Sequence, residues 1–216
     1  MMNNTPSPPP WTLHGSGLVM LAHFPESFVR QHGFLADFQQ VGYRGWLGTV
    51  MLVDYQTSGV GPYCELLFIP GLFRLGGKTT FSISKIYVST TESVENGIEN
   101  WGIPKEQANF SITTAPDGAK TYVVSQNGTP FFSVTARSFG PRFPVTTRLL
   151  PGFRVMQQRR NDLLLTAPVA AGTGRLASLD ELSVDSSRFP DIGRGWLLAT
   201  IAVTDFTMTF PVPQAV

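Results

Sequence analysis

Cysteine is almost absent from this sequence. Cys64 stands alone among 216 residues, so no internal disulfide can form, and the pattern fits a reducing compartment with the cytoplasm as default. Charge is sparse as well: charged residues make up 14%, the formal net charge is +1, and the pair Arg159-Arg160 is the longest basic run. That balance lacks the electrostatic footprint of a nucleic-acid or anionic-membrane binder, so neither partner is expected. No apolar run approaches the roughly 18 residues needed to span a bilayer. The histidines, His14, His23 and His32, have no short metal-ligand spacing, and with one cysteine a metal site is not expected. A G-x-S-x-G elbow is missing, and "AAGTGRLAS" has a Gly-x-Gly without the strand and helix that a dinucleotide fingerprint needs. No cofactor is expected.

Lysine is the informative shortage. The chain has four, Lys78, Lys85, Lys105 and Lys120, against twelve arginines. One of the four follows Gly-Ile-Pro in "NGIENWGIPKEQANF".

What is present suits one substantial domain. Hydrophobic residues at 42% can fill its core, and residues 1–10, "MMNNTPSPPP", read as a flexible Pro-rich leader before a single domain over 11–216. Turn chemistry dominates the middle. Asp117-Gly118 and Asn127-Gly128 separate three runs rich in Thr, Val, Phe and Tyr, which predicts a three-strand meander with primed turns. "GWLGTVMLVDY", "YCELLFIPG", "TTFSISKIYVS" and "GWLLATIAVTDFTMTF" each predict a strand, the last one long or bent. Helices are few: "PESFVRQHGF", "SLDELSVDS" and, most clearly, "SVENGIENWG". In the last, Val94, Ile98 and Trp101 mark an apolar stripe, Ser89 and Glu92 a capping-box pair, and Gly102 with Pro104 the stop. A weak boundary near "SFGPRFPV" is the place where the chain would divide. The economical expectation is one mainly β, antiparallel, barrel-like domain with a few short helices.

Two residues carry the chemistry. A lysine becomes a nucleophile when its pKa falls from about 10.4 toward neutrality, which apolar burial brings about, and its product with a carbonyl is a Schiff base that stabilises a neighbouring carbanion. Trp101, Ile103, Pro104 and Phe110 give Lys105 an apolar neighbourhood in sequence. On residues alone the commoner reading is an exposed loop lysine beside Glu106. Glu65 is the second. Strand alternation puts Tyr63, Glu65, Leu67 and Ile69 on one face and Cys64, Leu66 and Phe68 on the other, so a carboxylate sits within an apolar face. It needs either a buried ionic partner, such as an arginine, or a polar cavity. Cys64 reads as a small buried hydrophobe.

Taken in order, "SGVGPYCE" and "VENGIENWGIPKE" resemble the acetoacetate decarboxylase family. Gly59, Gly61, Tyr63 and Glu65 match its Gly-x-Gly-x-Tyr-x-Glu stretch, Gly97 and Glu99 its Gly-Arg-Glu segment, and Pro104-Lys105 the start of its Pro-Lys-Lys motif. "WTLHG", "TTRLLPGF" and "FPDIGRGWLLATIAVTDFTMTF" fall in the expected order. The resemblance implies a barrel-like fold, a homo-oligomer, and a cofactor-independent Schiff-base site in an apolar cavity, with Lys105 and Glu65 catalytic and Tyr63, Trp101 and Ser16 binding a small keto acid or ketone. Acetoacetate decarboxylase is itself a known case of a lysine activated by desolvation or a neighbouring cation, so that mechanism comes with the resemblance and not from the residues. The departures are Glu106 for the second lysine, Ile98 for the arginine of Gly-Arg-Glu, Ser16 after His14 and Gly15 for an early arginine, and Gly48, Thr49 and Val50 where another glutamate is expected. Glu106 has to point away from Lys105 if the amine is to be activated. Arg74 and Arg148 are the cations available to replace what is lost. Two functions follow: a lyase, decarboxylating a small β-keto acid or running aldol or dehydration steps, and a non-catalytic barrel that binds a small apolar ligand.

Overall fold

A computed structural model describes residues 6–149 and 152–216. In chain order the elements are β1 (Trp11–His23), α1 (Glu26–His32), α2 (Asp37–Gln40), β2 (Tyr43–Gly45), β3 (Leu47–Thr57), β4 (Tyr63–Ile69), β5 (Leu72–Leu75), β6 (Lys78–Phe81), β7 (Lys85–Val88) and α3 (Thr91–Trp101). There follow β8 (Lys105–Gln107), β9 (Asn109–Thr114), β10 (Lys120–Gln126), β11 (Thr129–Thr146), β12 (Val155–Arg159), β13 (Asp162–Thr166), β14 (Val169–Val184), β15 (Trp196–Phe210) and β16 (Gln214–Ala215). Ten strands form one sheet in the order β8-β7-β4-β3-β1-β15-β14-β11-β10-β9, and six form a second in the order β16-β13-β12-β6-β5-β2. The edge strands of the larger sheet, β8 and β9, are consecutive in the chain, and the Ala108 amide donates to the Val88 carbonyl, so this sheet curls into a nearly closed barrel. The mainly β, barrel-like expectation holds. Among the described residues no helix is long and apolar enough to cross a membrane.

Alternation divides the sheet into two apolar faces. Leu18, Met20 and Ala22 of β1, Val50 and Leu52 of β3, and Leu66 and Phe68 of β4 join Val124, Phe132 and Val134 in one core cluster. The residues between them, including Leu13, Val53, Tyr63, Leu67 and Ile69, belong to a second cluster with Trp11, Trp101 and Ile103. The second cluster carries the site.

The meander forms as expected, with β9, β10 and β11 pairing antiparallel. Asn127 (φ 51°) and Gly128 (φ 78°) are both left-handed, as a type I′ turn requires. The Asp117-Gly118 link is instead a longer loop: only Gly118 has positive φ, and Asp117 Oδ1 accepts from the Ala119 amide at 3.1 Å. "SLDELSVDS" is not helical. It lies in β14, where Leu182 pairs with Val134 and Leu179 with Ala136 of β11, because long-range pairing outweighs local helix propensity. "TTFSISKIYVS" is broken at Ser82–Ser84 into β6 and β7, which belong to different sheets. Ser82 Oγ donates to the Met156 carbonyl at 2.7 Å, a bond that holds the crossing. The SFGPRFPV stretch is not a boundary: β11 runs through it with a register shift between Phe139 and Phe143.

Of the leader, residues 1–5 lie outside the described residues. Ser7 is held firmly: its amide donates to Asn96 Oδ1 at 2.8 Å, its hydroxyl to the Gly59 carbonyl at 2.7 Å, and its carbonyl accepts from Trp11 Nε1 and Asn100 Nδ2.

Candidate active site

The site is assembled where β4, β7 and β8 lie side by side and α3 closes over them. Tyr63, Glu65, Leu67 and Ile69 all face one cavity of about 330 Å³, the face that alternation assigned to them. Leu67 pairs with Ile86 of β7, and Ile86 pairs in parallel with Lys105 of β8. Lys105 therefore looks to the same side as Leu67, one residue row from Glu65.

Helix α3 supplies the roof. Thr90 caps it by accepting from the Ser93 amide at 3.3 Å, in place of the expected Ser89, whose hydroxyl accepts from the Cys64 amide at 2.8 Å. Gly102 ends it in the left-handed conformation at φ 68°, as a C-terminal glycine does. The buried face is Ser93, Asn96, Gly97 and Trp101, whereas Ile98 is 43% exposed. Ser93 and Gly97 are the small residues that the helix turns toward the lysine it covers, while Trp101 packs into the cavity wall. A Cβ on Gly97 would lie 2.6 Å from Lys105 Cδ and 2.8 Å from Cε.

Lys105 is not a surface lysine: it is 6% exposed, and Glu65 is 5%. Its Nζ lies 3.3 Å from Glu65 Oε2, donates to Ser93 Oγ at 2.9 Å and reaches Tyr63 Oη at 3.4 Å. The ammonium also stands 4.9 Å from the centre of the Tyr63 ring and 6.0 Å from that of Trp11. Tyr55 donates to Glu65 Oε1 at 3.4 Å. The buried partner foreseen for Glu65 is this lysine rather than an arginine.

Burial lowers the Lys105 pKa, and the Glu65 carboxylate works against that shift. Burial also raises the phenols of Tyr55 and Tyr63 well above their usual value, with Glu65 adding to the effect, so both remain neutral hydrogen-bond donors. On the opposite face of β4, burial and then Asp54 push the Cys64 thiol up to about 12. Cys64 is half-buried rather than fully buried.

Glu106 does point away. It pairs with Tyr87 in the β7–β8 ladder, on the face opposite Lys105, and forms an ion pair with Lys85. The anion in place of the family's second lysine is thereby answered by its own cation. Trp101 lines the cavity, donates from Nε1 to the Pro211 carbonyl at 2.8 Å, and meets Trp11 and Phe210 edge to face at 4.9 and 5.0 Å. Such pairs contribute about 0.5–1.5 kcal/mol each beyond burial. Ser16 departs from its expected place: it pairs with Asp54 of β3, and its even position turns it from the cavity that Gly17 and Val19 line. Arg74 and Arg148 are both exposed and neither lines the cavity.

Two residues escaped the sequence reading, Ser93 and Tyr55, and Gly97 entered it only as a match to the Gly-Arg-Glu segment, not as the place where the lysine lies. Ser93 and Gly97 are four apart on α3 and so share a face, but nothing in the sequence marks that face as the one over the lysine. Tyr55 is brought to Glu65 by the β3–β4 register, in which Tyr55 pairs with Tyr63 and Val53 with Glu65.

The sequence profile of the acetoacetate decarboxylase (ADC) family matches residues 45–161. Protein NEOXANTHIN-DEFICIENT 1 of Arabidopsis thaliana is 28% identical over 111 residues, which are 50% of this chain and 39% of that protein's length. The chain therefore matches well under half of that curated relative. Among solved structures, acetoacetate decarboxylase from Legionella pneumophila superimposes with a TM-score of 0.73 at 14% identity, covering 97% of this chain and 88% of that one. An acetoacetate decarboxylase-like enzyme from Sphingomonas wittichii RW1 gives 0.70 at 10% identity, with 99% and 94% covered. The enduracididine biosynthesis enzyme MppR, complexed with the condensation product of pyruvate and imidazole 4-carboxaldehyde, gives 0.68 at 13% identity, with 96% and 89% covered. At these identities the likeness is one of fold.

Proposed function

The chain belongs to the acetoacetate decarboxylase family, and from that premise we propose that it is a Schiff-base lyase in which Lys105 attacks a substrate carbonyl and Glu65 moves the protons. One observation carries the reading: the amine is buried against an apolar cavity, where burial lowers its pKa. The Lys105 ammonium passes a proton to Glu65, the neutral amine adds to the carbonyl carbon, the oxygen leaves as water carrying one proton from nitrogen and the one returned by Glu65, and the resulting iminium accepts the electron pair of a bond broken one carbon away. Loss of CO2 from a small β-keto acid is the simplest such cleavage, and aldol or dehydration steps use the same enamine. MppR, similar in fold, holds the condensation product of pyruvate and imidazole 4-carboxaldehyde, which supports keeping those steps in the reading. Glu65, within 3.3 Å of Nζ, is in reach to take and return protons once the imine has formed.

The test is borohydride reduction in the presence of carbonyl compounds, followed by peptide mapping. A single reduced adduct on Lys105 is expected, and Lys105→Ala is expected to lose both the adduct and turnover while remaining folded. An adduct on Lys78, Lys85 or Lys120 instead, or full turnover by the variant, would contradict the role. The Glu65 ion pair supports a second reading, a non-catalytic barrel that binds an apolar ligand, since a paired ammonium is not a nucleophile. A folded protein that gives no adduct with any carbonyl would favour it.

A further inference from the structure

The cavity has a definite charge count and a definite direction. Its charged lining residues, among those described, are Lys105 and Glu65, and they already neutralise one another at 3.3 Å. No arginine among the described residues lines it. An imine with a neutral carbonyl compound leaves the count unchanged, iminium against carboxylate. A keto acid adds an anion with no cation to meet it, which costs several kcal/mol in an apolar interior.

The direction comes from the strand register. Starting at Lys105, successive pairing partners across the large sheet are Ile86, Leu67, Met51, Val19 and Ile201. Each of them lines the cavity. The five strand-to-strand steps, at ~4.8 Å each, make an apolar track on the order of 24 Å long, with the amine at one end. The neighbouring row adds Val53, Gly17 and Val203 beyond Glu65, again without a polar side chain.

Resting on the Lys105 reading above, we infer that the substrate is a neutral ketone or aldehyde with an extended apolar body, which lies along this track with its carbonyl at Lys105, so that of the reactions open to the imine this cavity selects the aldol and dehydration steps over loss of CO2 from a free keto acid. The volume of about 330 Å³ falls within the range of ligand pockets, ~300–1,000 Å³, and is lined for a hydrocarbon. Tyr63, Ser93 and Glu65 surround the amine, and the other polar side chains of the lining are Tyr55, Thr146 and Thr147, none of them charged.

The experiment is capture on Lys105 by borohydride with two matched series, methyl ketones of increasing length and 3-oxo acids of the same lengths, the adduct mass reporting any loss of CO2. For the ketones, the half-saturating concentration is expected to fall about three- to fourfold with each added methylene, until the track is filled. Each acid is expected to need at least about tenfold more than the ketone of its length. Equal capture of acids and ketones, or a flat dependence on chain length with Lys105 still labelled, would overturn the substrate assignment and leave the nucleophile standing. Absence of any Lys105 adduct with either series would overturn both.

Discussion

Glu65→Gln is expected to free the amine at lower pH and yet to slow turnover. The Glu65 carboxylate holds the Lys105 pKa up against the burial that lowers it. Without that charge burial acts unopposed, and the pH at which Lys105 becomes half free amine falls. The pH profile of borohydride capture should therefore shift to lower pH in the variant. Turnover should fall by about 10²–10⁴-fold, the usual contribution of a positioned acid–base group. The amide keeps the size of the side chain and can still accept from Tyr55, so loss of fold is not the expected cause. A capture profile that stays in place, or shifts upward, would mean that Glu65 does not set the charge state of the amine.

Gly97→Ala is expected to separate stability from activity. Alanine is favoured over glycine within a helix by about 1 kcal/mol, so α3 gains. The added Cβ, however, would sit 2.6 Å from Lys105 Cδ and 2.8 Å from Cε, and the side chain has to move. Nζ then leaves its place beside Ser93 and Tyr63. A displacement of about 1 Å of a reacting group costs on the order of 10²-fold in rate. The expected pattern is a melting temperature unchanged or raised, with capture and turnover lowered together. Unchanged capture would mean that the lysine does not need the space glycine leaves.

How much of this was legible in the sequence differs from element to element. β4 could be read residue by residue, because strand alternation is local and both of its faces are apolar: Glu65 came out on the cavity face with Tyr63, Leu67 and Ile69. The end of α3 was legible too, from the stop at Gly102, whereas its cap is Thr90 and not Ser89. Its inward face was legible in part: of the stripe Val94, Ile98 and Trp101, Trp101 is buried and Val94 packs against the second cluster, but Ile98 is 43% exposed, while Ser93 and Gly97 are buried because they seat a lysine. The periodicity rule assumes an apolar core opposite the helix, and a functional cavity breaks that assumption. Ser16 lies off the cavity face for a related reason: its resemblance to a family position carried no information about which face of β1 it takes. The pairing of β7 with β8, which aligns Ile86 with Lys105, is long-range and parallel, and no local pattern reports it.

The most direct test of the central claim is titration of the lysine Cε signals by NMR in protein labelled at lysine. With four lysines, Lys78, Lys85, Lys105 and Lys120, the spectrum is simple, and the signal missing from Lys105→Arg identifies the buried one. Burial outweighs Glu65 in setting its charge, so Lys105 is expected to lose its proton at a pH below the ordinary 10.5. Capture by borohydride should rise over that same interval, because only the free amine adds to a carbonyl. A Lys105 signal that titrates at or above the ordinary 10.5 would contradict the claim that this cavity holds an activated amine.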